Sequence, residues 1–196
     1  LAHLDSYLPL GLLRPRFASW MQRAIKSGHI HDAKIWYRGY AGDFPFDSAD
    51  GLLASGHIED VSVDYSSGWP SIAGLAGNFR VEGKSFELAA STGVVFGSSI
   101  NSGRAVISDL SQKESTLNIT ANLSGPAANG VRFLREGTLA ARFGDFAGTI
   151  EATGDINVAL DVTVPFPRGK KSAKGEITLL DNTLTLTNVD VTLTNT

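Results

Sequence analysis

The stretch from residue 150 to residue 164 alternates between apolar and polar side chains, and this pattern constrains the fold more than any other. Successive side chains of a β-strand point to opposite faces of the sheet. The segment therefore predicts one long strand with an apolar face and a hydrated face. The residues of the predicted apolar face have even numbers: Ile150, Ala152, Ile156, Val158, Leu160, Val162 and Val164.

The residues that follow repeat this alternation of aliphatic and polar side chains in shorter segments. Polar turn-forming residues at Asp181-Asn182 and at Asn188 separate the segments, so we expect hairpin turns at both places. Short connections of this kind predict an antiparallel meander. The aliphatic residues in this part are Ile177, Leu179, Leu184, Leu186, Val189, Val191 and Leu193.

The rest of the chain predicts a mainly β protein with a few short helices. An amphipathic helix begins near Pro15, carries Trp20, and ends at Gly28, which suits a left-handed terminal position. A second short helix is expected near 126–135. The domain organisation is then a helical segment over 1–28 and one continuous β-rich module over 29–196. The predicted strands are 30–40, 57–65, 72–81, 85–90, 94–96, 105–110, 115–123, 137–143, 148–164, 175–180, 183–186 and 189–193.

Composition excludes several classes of function. The chain has 196 residues, no cysteine and a net charge of −3, so thiol catalysis, disulfides and iron–sulfur clusters are excluded. Its charged residues form no basic stripe, which argues against nucleic acid as a partner. No apolar run reaches the ~18 residues of a membrane span. Both ends of the sequence suggest a segment of something longer.

Two groups of residues invite a catalytic or metal-binding interpretation. His29 and His31 would share one side of a strand, with His57 or Asp60 as a third ligand, but structural metal sites normally use four well-placed ligands. A polar strand edge explains these residues better.

Carboxylates also surround Phe44-Pro45-Phe46, and paired carboxylates serve glycoside hydrolysis. In a turn they more often bond their own backbone. We therefore predict no catalytic site, no metal and no cofactor. The carboxylates are Asp43, Asp47 and Asp50.

Two further features allow a binding role or a structural one. Pro70 forces Trp69 into an extended conformation, so the indole either offers a ligand platform or packs over a sheet edge, which we favour. The basic segment from Arg168 to Lys174 either contacts anionic head groups or is a solvated loop. The solvated loop is the simpler interpretation.

An ordered series of local patterns resembles the AsmA-like superfamily, in its YhdP branch. Tyr7-Leu8-Pro9 precedes the helix with Trp20 and Gly28. The remaining patterns follow in order along most of the chain: Tyr40, Phe44-Pro45-Phe46, Asp50-Gly51, Tyr65, Gly68-Trp69-Pro70, Leu75-x-Gly77-x-Phe79-x-Val81-x-Gly83, Ile107-Ser108-Asp109-Leu110, Leu117-x-Ile119 and Gly130–Leu134.

The resemblance implies a long curled antiparallel sheet that forms an open apolar groove, braced by the N-terminal amphipathic helix. It implies a segment of a periplasm-spanning lipid-transfer protein, anchored in the inner membrane by a part outside this chain. Phospholipid, neighbouring segments of the same long chain and envelope proteins would be its partners. The even-numbered series of 150–164 and the later aliphatic residues would then face lipid.

The sequence is also compatible with two other functions. A carbohydrate-binding or adhesive β-sandwich would bury the same aliphatic residues against a second sheet. A scaffold for outer-membrane protein assembly would instead use an open strand edge to bind extended peptide.

Overall fold

Nine antiparallel strands follow one another in chain order and form one sheet, so the meander predicted from short connections is confirmed. A computed structural model describes residues 15–39, 51–65, 69–112, 114–136, 140–166, 169–189 and 191–195. Within these ranges β1 and β9 lie at opposite edges, and the sheet is not closed. The strands are β1 Ile25–Tyr37, β2 Leu52–Val63, β3 Ile72–Glu82, β4 Ser85–Val95, β5 Ser98–Ile107, β6 Ser115–Pro126, β7 Ile150–Phe166, β8 Ser172–Leu186 and β9 Val191–Asn195.

Three short helices accompany the sheet in the described ranges: α1 Pro15–Ala24, α2 Ala127–Arg135 and α3 Ala140–Gly148. The mainly β fold class with a few short helices is therefore confirmed. The helix expected near 126–135 is α2. The strand predicted over 137–143 is wrong for residues 140–143, because they begin α3. Ala147 of this helix is fully buried, and the Arg135 guanidinium donates to its carbonyl at 2.8 Å, which holds α3 against α2.

The N-terminal helix ends earlier than predicted. Strand β1 begins at Ile25, so Gly28 does not terminate α1 but lies inside β1 with φ of 134°. A Cβ atom placed on Gly28 would lie 2.6 Å from Cγ2 of Val61. The glycine is therefore explained by the close approach of β1 to β2 rather than by a helix terminus. The Trp20 indole donates to the Tyr65 carbonyl at 3.1 Å and ties α1 to the end of β2.

Two pairs of predicted strands are each one continuous strand. Segment 85–90 and residues 94–95 of segment 94–96 both belong to β4, whereas Phe96 lies in the turn after it. Segments 175–180 and 183–186 both belong to β8. The hairpin turn predicted at Asp181-Asn182 is wrong. Asp181 has φ of 51° at a register shift within β8, and the buried Asn182 donates to the Thr153 carbonyl at 2.9 Å. Asn188 does lie in the turn between β8 and β9.

One-residue bulges interrupt several strands. Asp60 in β2 has φ of 49°, and the register with β3 shifts between Ile58 and Val61. A bulge adds one residue opposite a regular strand, so the apolar residues switch from even to odd numbers while staying on one face. Bulges also bend the strand and increase its twist. The same switch occurs in β5, where the register shifts between Ile100 and Ser102.

Candidate functional site: the apolar face of the sheet

Residues that lie directly opposite each other on antiparallel strands share one face of the sheet. Following these pairs from strand to strand produces an apolar row that crosses the sheet from β1 to β7. We call the surface built from such rows the apolar face. This row consists of Ile35, Ala54, Val81, Phe86, Ile107, Leu117 and Val164.

Parallel rows extend the apolar face along the strands. One runs from β3 to β8 through Phe79, Leu88, Ala105, Ile119, Val162 and Ala173. The next row, from β1 to β8, is dominated by small side chains: Ile30, Ile58, Gly77, Ala90, Gly103, Ala121, Leu160 and Gly175. A further row runs from β5 to β8 through Ile100, Leu123, Val158 and Ile177.

The register brings nearly all of the sequence-predicted aliphatic residues onto this face. Val189 lies instead in the turn after β8. The pairs on β7 and β8 are Ile156 with Leu179, Val158 with Ile177, Ala152 with Leu184 and Ile150 with Leu186. On β8 and β9 they are Leu184 with Leu193 and Leu186 with Val191. The remaining residues of β7 pair with apolar residues of β6: Leu160 with Ala121, Val162 with Ile119 and Val164 with Leu117.

The most exposed side chains of the apolar face lie on the outer strands β1, β8 and β9. Ile107 in β5 is only 2% exposed. Ile35 in β1, Ile177 in β8 and Leu193 in β9 are 57%, 61% and 57% exposed. All nine strands of the described ranges belong to one sheet, so a two-sheet sandwich is excluded there. Helix α2 lies against β7 and β6, where a Cβ on Gly130 would be 3.2 Å from Cδ1 of Ile156.

The opposite face carries the charged side chains. The guanidinium of Arg104 donates two hydrogen bonds to the Glu87 carboxylate, at 2.7 and 3.0 Å. These bonds favour the ionised carboxylate and hold the pKa of Glu87 below its ordinary value of 4.5. Asp161 on β7 stands opposite Lys174 on β8. One face of the sheet is therefore apolar, and the opposite face carries pairs of oppositely charged side chains.

The histidines singled out in the sequence lie at the β1–β2 pair. The rings of His29 and His31 stack with centroids 6.2 Å apart, while His31 Nε2 lies 3.0 Å from Glu59 Oε2. His57 Nδ1 lies 3.2 Å from the Asn78 side-chain oxygen. In the part of the chain that the structure describes, no group of three His, Cys, Asp or Glu residues is arranged to hold a metal ion.

Trp69 belongs to an aromatic cluster at the end of the sheet where α2 packs. Its ring centroid lies 6.0 Å from that of Phe133 in α2, and Phe133 meets Phe96 edge to face at 5.8 Å. The Arg132 guanidinium lies 4.3 Å above the Phe96 ring. This packing agrees with the structural interpretation of the indole.

The basic segment is exposed at its three described lysines, Lys170, Lys171 and Lys174. Four other residues singled out in the sequence lie outside the described residues: Asp43, Asp47, Asp50 and Arg168.

Sequence reasoning missed the part of the apolar face that lies on β1 to β6. The alternation in β3 and β6 was visible, as in Leu117, Ile119, Ala121 and Leu123. In β2, β4 and β5 the apolar residues change parity at mid-strand, which conceals the face from a search for strict alternation. A search that allows one inserted residue would have found it. Among the described helices, none has the length and apolarity needed to cross a bilayer.

An open antiparallel sheet with one continuous apolar face defines the structural class of this chain. The sequence matches the YhdP protein family over residues 1–196, and the chain belongs to that family. It is similar to the intermembrane phospholipid transporter YhdP of Escherichia coli (strain K12), with 24% identity over 190 residues. That alignment covers 96% of this chain and 15% of the relative, so the chain spans about one seventh of the relative's length. No solved structure matches it.

Proposed function

We propose that this chain is a segment of a lipid-transfer protein in which the apolar face shields phospholipid acyl chains from water. The observation that carries the proposal is the continuous apolar face, which no second sheet covers in the described ranges. The name of the Escherichia coli relative, an intermembrane phospholipid transporter, supports the same substrate class.

The energetics of an acyl chain explain why a continuous face is needed. Each CH₂ group removed from water contributes about 0.8 kcal/mol, so exposure of one long acyl chain costs on the order of 10 kcal/mol. A polar gap in the lining would expose part of the acyl chain to water or to polar groups, and the resulting free-energy cost would be a barrier to movement of the lipid. The row from Ile35 to Val164 crosses seven neighbouring strands without a polar side chain.

The dimensions of the sheet suit this role. Neighbouring strands lie about 4.8 Å apart, so nine strands span roughly 38 Å across the sheet. One leaflet of a bilayer contributes about 15 Å of hydrocarbon. The apolar face is therefore longer than one acyl chain in the direction that crosses the strands. Bulges at Asp60, Asn101 and Asp181 bend the strands and would curl the face into a groove.

The fourteen aliphatic residues predicted from sequence form the β7–β9 part of the proposed lipid-facing wall, with Val189 at its border. The exposed residues among them offer the largest gain when lipid covers them. Edges β1 and β9 would meet neighbouring segments of the same long chain. The location would be the periplasmic part of an inner-membrane-anchored protein, and the helical segment over 1–28 would brace the β-rich module over 29–196.

Site-specific photo-crosslinking tests the proposal at two adjacent residues. Ile177 lies on the apolar face and Thr178 on the opposite face, and both are exposed. A photoreactive side chain at position 177 should crosslink phospholipid in a membrane extract, while the same group at position 178 should not. Equal lipid crosslinking at both positions, or peptide rather than lipid crosslinks at 177, would contradict the proposal.

A further inference from the structure

A cleft of about 500 Å³ lies where β2 ends and β3 begins, and Trp69 forms part of its lining. Its apolar lining includes Val63 and Ile72, which are cross-strand partners. Its polar lining includes Lys26 and Asp64, whose Nζ and Oδ2 atoms are 3.9 Å apart. The remaining lining residues are Ser62, Ser71 and Ala73.

The position of this cleft joins the apolar face to water. By register, Val63 and Ile72 continue the apolar face through the pairs Val61 with Leu75 and Ile72 with Val95. Residues of both parities line the cleft, so it lies at the strand ends, where the apolar and the polar faces meet. An amphiphile whose tail lies on the apolar face can place its head group here without burying charge.

The charges of the cleft select among head groups. Lys26 and Asp64 are about half exposed, at 55% and 48% of their side chains, so both remain available to a ligand. A lone cation would favour an anionic head group, but an adjacent carboxylate repels one. A head group that carries both a phosphate and a primary ammonium complements both charges, because the ammonium can donate hydrogen bonds to the carboxylate.

We infer that this cleft is a head-group subsite for a zwitterionic phospholipid with a primary ammonium, as in phosphatidylethanolamine. Lys26 binds the phosphate and Asp64 binds the ammonium, and the hydroxyls of Ser62 and Ser71, which line the same cleft, donate hydrogen bonds to phosphate oxygens. This inference rests on the proposed function, since the acyl tail of the same molecule would lie on the apolar face.

Native mass spectrometry of the protein with an equimolar mixture of phosphatidylethanolamine and phosphatidylglycerol, matched in acyl chains, tests the inference. The unmodified protein should bind more phosphatidylethanolamine. Asp64→Asn should lower the ratio of the two bound lipids about twofold to fivefold, because an exposed charge contact is of that size. The substitution leaves intact the backbone bond from Asp64 N–H to the Ala24 carbonyl. Lys26→Gln should reduce the bound phosphatidylethanolamine by a similar factor.

Matched controls come from the pair Asp161 and Lys174, which stand opposite each other on β7 and β8 away from the cleft. Asp161→Asn and Lys174→Gln change the net charge equally and should leave the ratio unchanged. If Asp64→Asn leaves the ratio unchanged, or shifts it no more than Asp161→Asn does, the subsite is refuted while lipid binding itself stands. If the unmodified protein binds neither lipid, the proposed function fails and the subsite fails with it.

Discussion

Replacing Ile177 by aspartate separates a lipid-facing wall from an ordinary buried core. Full removal of an isoleucine side chain from water contributes about 1.5–3 kcal/mol. Ile177 is 61% exposed in the free protein, so an acyl chain that covers it gains about 1–2 kcal/mol there. Ile177→Asp should therefore weaken acyl binding by about five- to thirtyfold, with a further loss because the new carboxylate must shed water.

The contrasting substitution is Ile107→Asp, on the same face but only 2% exposed. There the carboxylate is buried without a partner, and we expect a loss of at least about 3 kcal/mol in the free energy of unfolding. Titration of the delipidated protein with a fluorescent fatty-acyl probe measures affinity, and thermal unfolding by circular dichroism measures stability. Thr178→Asp, on the opposite face, controls for added charge. If Ile177→Asp binds the probe as well as Thr178→Asp does, or unfolds as readily as Ile107→Asp, our reasoning about the apolar face is refuted.

Two further predictions concern the backbone and the charged face. Gly28→Ala should lower the free energy of unfolding, measured by urea denaturation, by about 1–3 kcal/mol, because φ at this position is 134° and the new Cβ meets Val61. The control is Gly148→Ala, which should change stability little because the space around its Cβ is open. Arg104→Gln should lower the melting temperature near neutral pH and lose this effect in acid. The reason is that Arg104 depresses the pKa of Glu87 below 4.5, so the stabilisation is complete above that pH and disappears as pH falls through the folded-state pKa. A difference that persists undiminished in acid would contradict this origin.

The fold class follows from sequence because β6 and the part of β7 that pairs with it are regular. The register between β6 and β7 is uninterrupted from Ser115 opposite Phe166 to Pro126 opposite Asp155. The alternation of apolar and polar residues along these strands therefore corresponds directly to the two faces of the sheet. Cross-strand pairing then explains why the aliphatic residues of β7 and β8 share a face. Local periodicity is therefore sufficient to predict the two faces of β6 and β7, but not the pairing of β7 with β8.

The bulges could not be predicted from local sequence. Aspartate tolerates positive φ both in a hairpin turn and in a bulge, so Asp181 fits either structure. The choice depends on whether the residues after it pair with the same neighbour as those before it. Both halves of β8 pair with β7. That pairing is a long-range property of the sheet, and the same argument explains the parity switch beside Asp60.

Helix α3 was missed for a related reason. Gly and Phe residues in 140–148 weaken helix propensity, and its apolar residues also fit a short strand. Its stability comes from tertiary contacts, since Ala147 is buried and Arg135 donates to the carbonyls of Ala147 and Ile150 at 2.8 and 2.7 Å. Contacts between α2, α3 and β7 thus override a weak local preference.

If the bulge at Asp181 is an inserted residue, its removal should be tolerated. Deleting Asp181 leaves Leu180 opposite Asp155 and Thr183 opposite Thr153, so Leu179 and Leu184 keep their face and β8 becomes regular. Deleting Thr120 from the regular strand β6 has the opposite effect. One half of β6 must then turn its two apolar residues to the polar face, at a cost of about 3 kcal/mol or more. Urea unfolding should find the first variant folded and the second severely destabilised. Equal destabilisation by the two deletions would mean that the residue at 181 carries structure of its own and does not simply bend an otherwise continuous strand.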